Sequence, residues 1–283
     1  MDERQALGCL DLYHAQLRGR VLGERGDLIG WLSPAAEDAG PVARMFDPVE
    51  GRLLLYPAPT AAGGWDPDML IAGECARSVA MNVPLTWYCR DDASDGLPAG
   101  LRAAGFVAED REYVMVGRSA DIATGPGAHP ALPEGFVVRQ VATAQDFTRV
   151  RELTERARGG CWSWLPPALE HWAADERDPA VVTVVETPDG DVAAATLLRC
   201  HTGTDFASLW STSTLPAWRG RGLYRLLVGH RAALAARRGH RYLYVEALPA
   251  SRPILTRLGM AVASTQTPYR LTPLTDDNAS SAR

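Results

Sequence analysis

The sequence predicts an α/β fold arranged as two similar halves. Three observations carry this expectation. Strand-type alternation and helix-type periodicity follow one another along the chain. A segment rich in Ala, Gly and Pro, Ser119–Glu134, divides it. A faint internal repeat relates residues 85–106, LTWYCRDDASDGLPAGLRAAGF, to 242–260, YLYVEALPASRPILTRLGM. Both stretches read as strand, polar turn, short helix, glycine and an apolar residue.

In chain order, residues 4–22 read as an amphipathic helix and 23–63 as loop-rich, with a strand at Arg52–Tyr56. Asp66–Met81 is a helix, Pro84–Arg90 an apolar strand, Leu97–Gly105 a short helix and Phe106–Val116 a strand. Beyond the Ser119–Glu134 linker or strap come a strand at Gly135–Val141 and a helix at Thr143–Arg158, with Phe147, Val150 and Leu153 on one face. A loop, Gly159–Pro167, leads to a helix at Ala168–Arg177. Strands at Val181–Glu186 and Val192–His201 flank the hairpin signal Pro188-Asp189-Gly190. Strand Phe206–Thr214, a glycine loop with its helix, strand Arg241–Leu248, helix Arg252–Leu258 and strand Met260–Leu271 complete the pattern.

Composition narrows the function. The chain has 283 residues, of which 46% are hydrophobic, enough for a packed core. A formal charge of −5 argues against nonspecific nucleic-acid binding. All 29 basic residues are Arg, so no lysine Schiff base or lysine nucleophile is available. The five cysteines are scattered without a C-x-x-C pair, which predicts free thiols, no structural metal site and a reducing cytoplasm. No signal peptide and no membrane-spanning stretch is expected.

The most informative stretch is Leu215–Gly239. Arg219-Gly220-Arg221-Gly222 precedes a helical pattern with apolar residues at Leu223, Leu226, Leu227, Ala233 and Leu234, closed by Gly239. Glycines leave backbone N–H groups uncovered, and a helix N-terminus favours an anion, most simply a pyrophosphate. Arg219 and Arg221 add charge-assisted donors. The loop is not a Walker motif, because no Lys-Ser/Thr follows. It is not a dinucleotide fingerprint, because Arg225 stands at the third glycine position.

Residues 135–271 resemble the GNAT acyltransferase superfamily. Arg219 and Gly222 match its Arg-x-x-Gly-x-Gly/Ala signature, with Tyr224 at the last position instead of a small residue. SRPILTRLGM (251–260) is similar to the family's last helix, with Met260 in the aromatic place. The resemblance implies a mixed, mostly antiparallel sheet flanked by helices. With the repeat it implies a degenerate GNAT-like N-terminal domain (1–118), a linker (119–134), an acyl-CoA-binding domain (135–273) and a frayed tail (274–283). In the first half, Gly63-Gly64-Trp65-Asp66 places an acid where the second has arginine and glycine, and an acid repels phosphate.

The implied activity is transfer of an acetyl or other acyl group from acyl-CoA to a small-molecule amine, by direct attack in a ternary complex. The expected protein is a cytoplasmic monomer or homodimer with no metal, nucleic-acid or membrane partner. Acetyl-CoA, or another acyl-CoA, is the expected co-substrate. The cradle would be Arg219, Gly220, Arg221, Gly222, Leu223 and Tyr224. Thr212, Ser213 and Thr214 would pair with the pantetheine arm as an added strand, and a backbone N–H there would polarise the thioester carbonyl. Glu246 is the leading base, on one face of YLYVEA with Tyr244; its bland alternative is a salt bridge to Arg241 or Arg199. His201 is the second base candidate, and His171 and His230 rate lower. The family's usual acid position reads Leu255, so Tyr224 and Ser251 stand in for the leaving-group acid, Ser251 also beside the cofactor. Trp162 and Trp164, after Gly159-Gly160, form an aromatic lid over the acceptor or simply pin the loop. Trp87 and Asp91-Asp92 are a further candidate wall. Cys161 reads as an ordinary loop thiol rather than a nucleophile. The alternatives are an acyl-CoA-binding regulator with decayed catalysis, or hydrolysis or decarboxylation on the same scaffold.

Overall fold

The computed structural model describes residues 3–18, 42–47, 51–57, 66–91, 96–176 and 178–272. In chain order the elements are α1 (Glu3–Tyr13), continued by a π-helical turn at His14–Arg18, β1 (Val42–Asp47), β2 (Arg52–Pro57), α2 (Pro67–Met81), β3 (Leu85–Arg90), α3 (Leu97–Ala103), β4 (Val107–Ala108), β5 (Glu112–Arg118) and α4 (Ser119–Thr124). They continue as β6 (Val137–Val141), α5 (Ala144–Arg158), α6 (Leu165–Ala174), β7 (Ala180–Glu186), β8 (Val192–Cys200), β9 (Phe206–Thr214), a 3-10 turn at Pro216–Trp218, α7 (Leu223–Arg237), β10 (Tyr242–Ala247), α8 (Arg252–Arg257) and β11 (Ala261–Leu271). This is a mixed α/β architecture. The strand expected over Phe106–Val116 is broken into β4 and β5, and β1 was not anticipated.

The chain divides into two compact units, Met1–Leu17 with Val114–Ala263 and Arg18–Tyr113 with Ser264–Arg283. These are not the sequence-read segments. The N-terminal helix groups with the later half, and most of β11 groups with the earlier one. Nor is 119–134 a plain linker. Ile122 of α4 and Ala128 are fully buried. A Cβ added at Gly229 of α7 would lie 2.3 Å from the Ala128 carbonyl oxygen, so the strap rests directly on that helix. The expected tail, 274–283, lies outside the described residues.

In the first unit the strand order is β6-β7-β8-β9-β10-β5. β6 to β9 pair antiparallel, and β10 joins β9 in parallel. The helix α5 starts where Thr143 Oγ1 accepts the Asp146 N–H at 3.2 Å, and ends at Gly159, whose φ of +78° suits glycine. It buries Phe147, Val150 and Leu153. Leu223 and Leu227 of α7 pack on Val185, Ala193 and Ala194. Ion pairs lace β6, α5 and β7 together: Arg139 to Asp146 at 2.7 Å, Arg139 to Glu186 at 2.8 Å and Arg149 to Glu186 at 2.7 Å.

In the second unit the order is β1-β2-β3-β11, with β4 also on β11. Leu53, Leu55, Ile71, Leu85, Trp87, Leu101, Phe106 and Tyr269 form its core. Trp87 is buried there, and Asp92 lies outside the described residues. Its β2-α2-β3-α3 run repeats β9-α7-β10-α8 of the first unit. Both short helices end alike. Gly105 and Gly259 have φ of +90° and +94°. The N–H of Phe106 bonds the Leu101 carbonyl, and that of Met260 bonds the Leu255 carbonyl, each at 3.0 Å. The difference lies at the helix N-termini. Asp66 caps α2 with its own carboxylate, accepting from the N–H groups of Asp68 and Met69. Gly222 caps α7 with no side chain.

The hydrogen bond from Arg139 holds the Asp146 carboxyl down to about 2, against its usual 3.8. A depressed carboxyl contributes stability above its unfolded pKa and loses it as pH falls through the folded value. Arg139→Gln is therefore expected to cost up to about 2 kcal/mol at pH 7 and progressively less toward pH 2. Denaturant titration at both pH values checks this.

Candidate functional site

Two strands part at the centre of the first unit. β9 and β10 pair only from Phe206–Tyr242 to Ser208–Tyr244, yet β9 runs on to Thr214 and β10 to Ala247. A bulge lies on β9 just beyond the last of these pairs. Register with β8 jumps between Leu197–Trp210 and Ala195–Ser213, so Ser211 and Thr212 oppose the single residue Thr196. Ser211 takes φ +40°, a left-handed value unusual for a residue with a side chain.

Arg231 of α7 fills the ladder gap that the bulge leaves. It is 1% exposed. Its Nε donates to the Leu227 carbonyl at 3.1 Å, and one Nη to the carbonyls of Leu197 and Trp210 at 3.2 and 3.5 Å. Burial lowers its pKa to about 10, so it stays charged at neutral pH. Tyr224 is close enough to interact with it electrostatically.

The edge of β9 that parts from β10 is held by two more arginines. Leu215 N–H bonds the Ala193 carbonyl, so alternation turns the backbone groups of Thr214 away from β8. The Thr214 carbonyl accepts from Arg219 Nε at 3.2 Å, and a second Arg219 nitrogen donates to the Ala157 carbonyl at 3.0 Å. Arg158 donates to the Thr212 carbonyl at 2.9 Å and to Ser213 Oγ at 3.0 Å.

Beyond β9 the chain makes the 3-10 turn and reaches the loop. Gly220 and Gly222 take φ of +76° and +83°. The first α7 amide with a backbone partner is that of Leu226, bonded to the Gly222 carbonyl. The N–H groups of Gly220 to Arg225 have no partner among the described residues, as the first turn of a helix leaves them. Nothing lies within 4 Å of where a Gly220 Cβ would stand. A cavity of about 530 Å³ adjoins the turn, lined by Arg156, Asp189, Asp191, Pro216 and Trp218 among others.

Residues 147–260 match the family model described as Acetyltransferase (GNAT) family. That segment belongs to the GNAT family. Among solved structures, a GCN5-related N-acetyltransferase from Kribbella flavida aligns with a TM-score of 0.63 at 15% identity, over 92% of this chain and 97% of its own. One from Sphaerobacter thermophilus gives 0.63 at 20%, over 83% and 78%. A tandem GNAT protein from the clavulanic acid biosynthesis pathway gives 0.60 at 14%, over 92% and 97%. At these identities the likeness is one of fold. No curated protein matches.

In this GNAT segment the sequence-read residues separate into three groups. Glu246 lies two residues past the last β9–β10 pair, on the split. It accepts a 2.6 Å hydrogen bond from Tyr244, whose hydroxyl lies 3.2 Å from that of Tyr13, with the two rings stacked 4.7 Å apart. The arginines offered as its salt-bridge partners pair elsewhere, Arg241 with Asp205 and Arg199 with Asp175. Leu223 and Tyr224 open α7, and Ser251 immediately precedes α8 beyond the end of β10.

The second group has other work. Arg219 is tied to two carbonyls and so shapes the loop more than it offers free donors, whereas Arg221 stacks over Trp218 at 4.7 Å with its N–H donors still available. Gly222 is required by its φ and by Pro130, which a Cβ would meet at 3.2 Å. The open position is Gly220. Trp162 and Trp164 sit 5.7 Å apart, and Trp162 Nε1 donates to the Gly159 carbonyl, which anchors the loop. Cys161 is exposed, its thiol pKa lowered by a hydrogen bond with Ser163.

His201 falls in the third group. It follows the C-terminal end of β8, whereas the split lies beside the N-terminal end, at Ala194–Leu197. It is fully buried and bonded to Ser208 Oγ at 2.7 Å. The residues that the sequence reading missed are Arg231, Arg158 and Tyr13. One signal was available for Arg231: it continues the buried spacing of Leu223 and Leu227.

Arg231→Leu removes the donors on Leu197 and Trp210 and is expected to destabilise the protein by about 2–4 kcal/mol. The loss should appear as a lower denaturant midpoint with an unchanged slope.

Proposed function

We propose that this chain moves an acyl group from acyl-CoA to an amine of a small molecule, by direct attack in a ternary complex. One observation carries the reading: the sheet opens beside a carboxylate, and the opened strand leads within a few residues to an uncapped helix N-terminus. Acyl-CoA has matching parts, an amide-bearing arm and a pyrophosphate. Free N–H groups from Gly220 to Arg225 suit the pyrophosphate. The edge of β9 that parts from β10 suits the arm, through the Thr212–Thr214 backbone, where Arg158 and Arg219 already hold the carbonyls of Thr212 and Thr214.

In this reading Glu246 takes the proton of the attacking amine, with Tyr244 fixing its carboxylate by the 2.6 Å hydrogen bond. A β9 backbone N–H and the buried charge of Arg231 stabilise negative charge developing on the thioester oxygen. Tyr224 or Ser251 meets the leaving thiolate. Leu255, at the family's acid position, is fully buried and takes no part. That observation also favours a second reading, an acyl-CoA-binding regulator without turnover. The repeat of β-α-β-α geometry supports a tandem GNAT whose earlier half has lost its anion site, since Asp66 occupies the helix end there.

Two experiments test this. Gly220→Asp and Gly220→Asn place side chains of equal size in open space at a left-handed position that both residues tolerate. The Asp variant is expected to weaken CoA binding on the order of tenfold relative to Asn, by charge alone. Equal affinities would overturn the cradle. Glu246→Gln is expected to lower turnover on the order of a hundredfold while sparing CoA affinity. Thiol release against a panel of amines reads both this and the regulator alternative, which predicts binding without release.

A further inference from the structure

The proposed reaction leaves Arg158 unexplained. It is the last residue of α5, and it is exposed while its guanidinium reaches onto the opened strand. Three contacts fix it: the Thr212 carbonyl at 2.9 Å, Ser213 Oγ at 3.0 Å and the Trp162 ring, 5.7 Å from its guanidinium carbon. All three partners are neutral. No ion pair between Arg158 and a carboxylate is present among the described residues. Every other arginine described in this cleft has settled work. Arg219 joins strand to helix, Arg231 bridges the bulge, and Arg221 stacks on Trp218 outside it.

A guanidinium makes five N–H donors in a planar fork. Two of its nitrogens bond the protein here, and the remaining Nη is uncommitted. A planar cation, held on one side by neutral acceptors and backed by an indole, matches a carboxylate on its other side. Its place favours a carboxylate over CoA phosphate. It stands at Thr212 and Ser213, next to the bulge where the reacting bond would lie, whereas the free amides for phosphate begin at Gly220.

We infer that Arg158 binds a carboxylate carried by one of the two reactants, either an amino-acid-like acceptor or a dicarboxylic acyl group on the donor. The inference rests on the acyl-transfer reading above. Trp162 and Gly159, whose side chain and carbonyl are hydrogen-bonded together, hold the indole that backs the guanidinium. In that role the Trp162 ring orients the arginine instead of touching the acceptor.

The test compares wild type, Arg158→Gln and Arg158→Lys. One arm sets amino acids against their decarboxylated amines, with acetyl-CoA. The other sets succinyl-CoA against acetyl-CoA with one amine. In one of the arms, Arg158→Gln is expected to lower kcat/KM for the carboxylated reactant on the order of tenfold to a hundredfold, with less than about threefold change for its uncharged counterpart. Arg158→Lys is expected to recover part of the loss. Which arm responds identifies the source of the carboxylate. Equal loss for charged and uncharged reactants in both arms, or loss of CoA affinity of the same size, would overturn the inference. Calorimetric titration of the same ligands measures carboxylate recognition independently of turnover. If wild type releases no thiol with any pair, acyl transfer fails. A carboxylate preference in binding that Arg158→Gln abolishes would still support the site, and no such preference would sink it.

Discussion

A buried guanidinium bridges a break in the sheet. A strand pair left to itself continues its ladder, because each unbonded backbone group in a core costs free energy. The bulge at Ser211–Thr212 breaks that ladder, and Arg231 supplies the donors that the interrupted β8–β9 pairing lacks, at the carbonyls of Leu197 and Trp210. Desolvating a charge is expensive, and neutral carbonyls compensate only part of it. That cost is consistent with a structural element kept for geometry. The bulge follows the point where β9 leaves β10, and the divergence leaves the Thr212–Thr214 edge without a β10 partner, on the same side as Glu246. Arg219 then ties the end of β9 to the end of α5 and aims the glycine loop.

The two β-α-β-α runs differ at their first helix start. In the second unit Asp66 satisfies the first amides of α2 with its own carboxylate. In the first, Gly222 brings only backbone, and the amides from Gly220 to Arg225 stay open. One side chain decides between them, since a capping acid both occupies the donors and repels phosphate. The C-terminal ends of α3 and α8 close in the same way, at Gly105 and Gly259.

Local signals were legible in the sequence. Asp66 and Thr143 as helix starts, Pro188-Asp189-Gly190 as a hairpin and the glycine loop before α7 each rest on neighbouring residues, which a sequence displays directly. That Glu246 shares a face with Tyr244 was legible from alternation along one strand, and the two side chains are hydrogen-bonded. What escaped depends on partners far apart in the chain. Nothing local distinguishes an arginine that phosphate would meet from Arg219, which binds Thr214 and Ala157. His201 and Glu246 both follow or lie in strands, and only the pairing register shows that they stand at opposite ends of the sheet. The strap over α7 read as a linker because Ala, Gly and Pro mark close packing as readily as freedom; Gly229 against Ala128 is the former.

Acyl transfer as proposed requires the opened edge of β9 and the start of α7 to receive one ligand together. Hydrogen exchange of the backbone amides, followed with and without CoA, tests it most directly. The account predicts slowed exchange in both Thr212–Thr214 and Gly220–Arg225 on adding CoA, with the α2 start at Asp68–Met69 unchanged. Saturating CoA that leaves both segments exchanging at their free rates would contradict it.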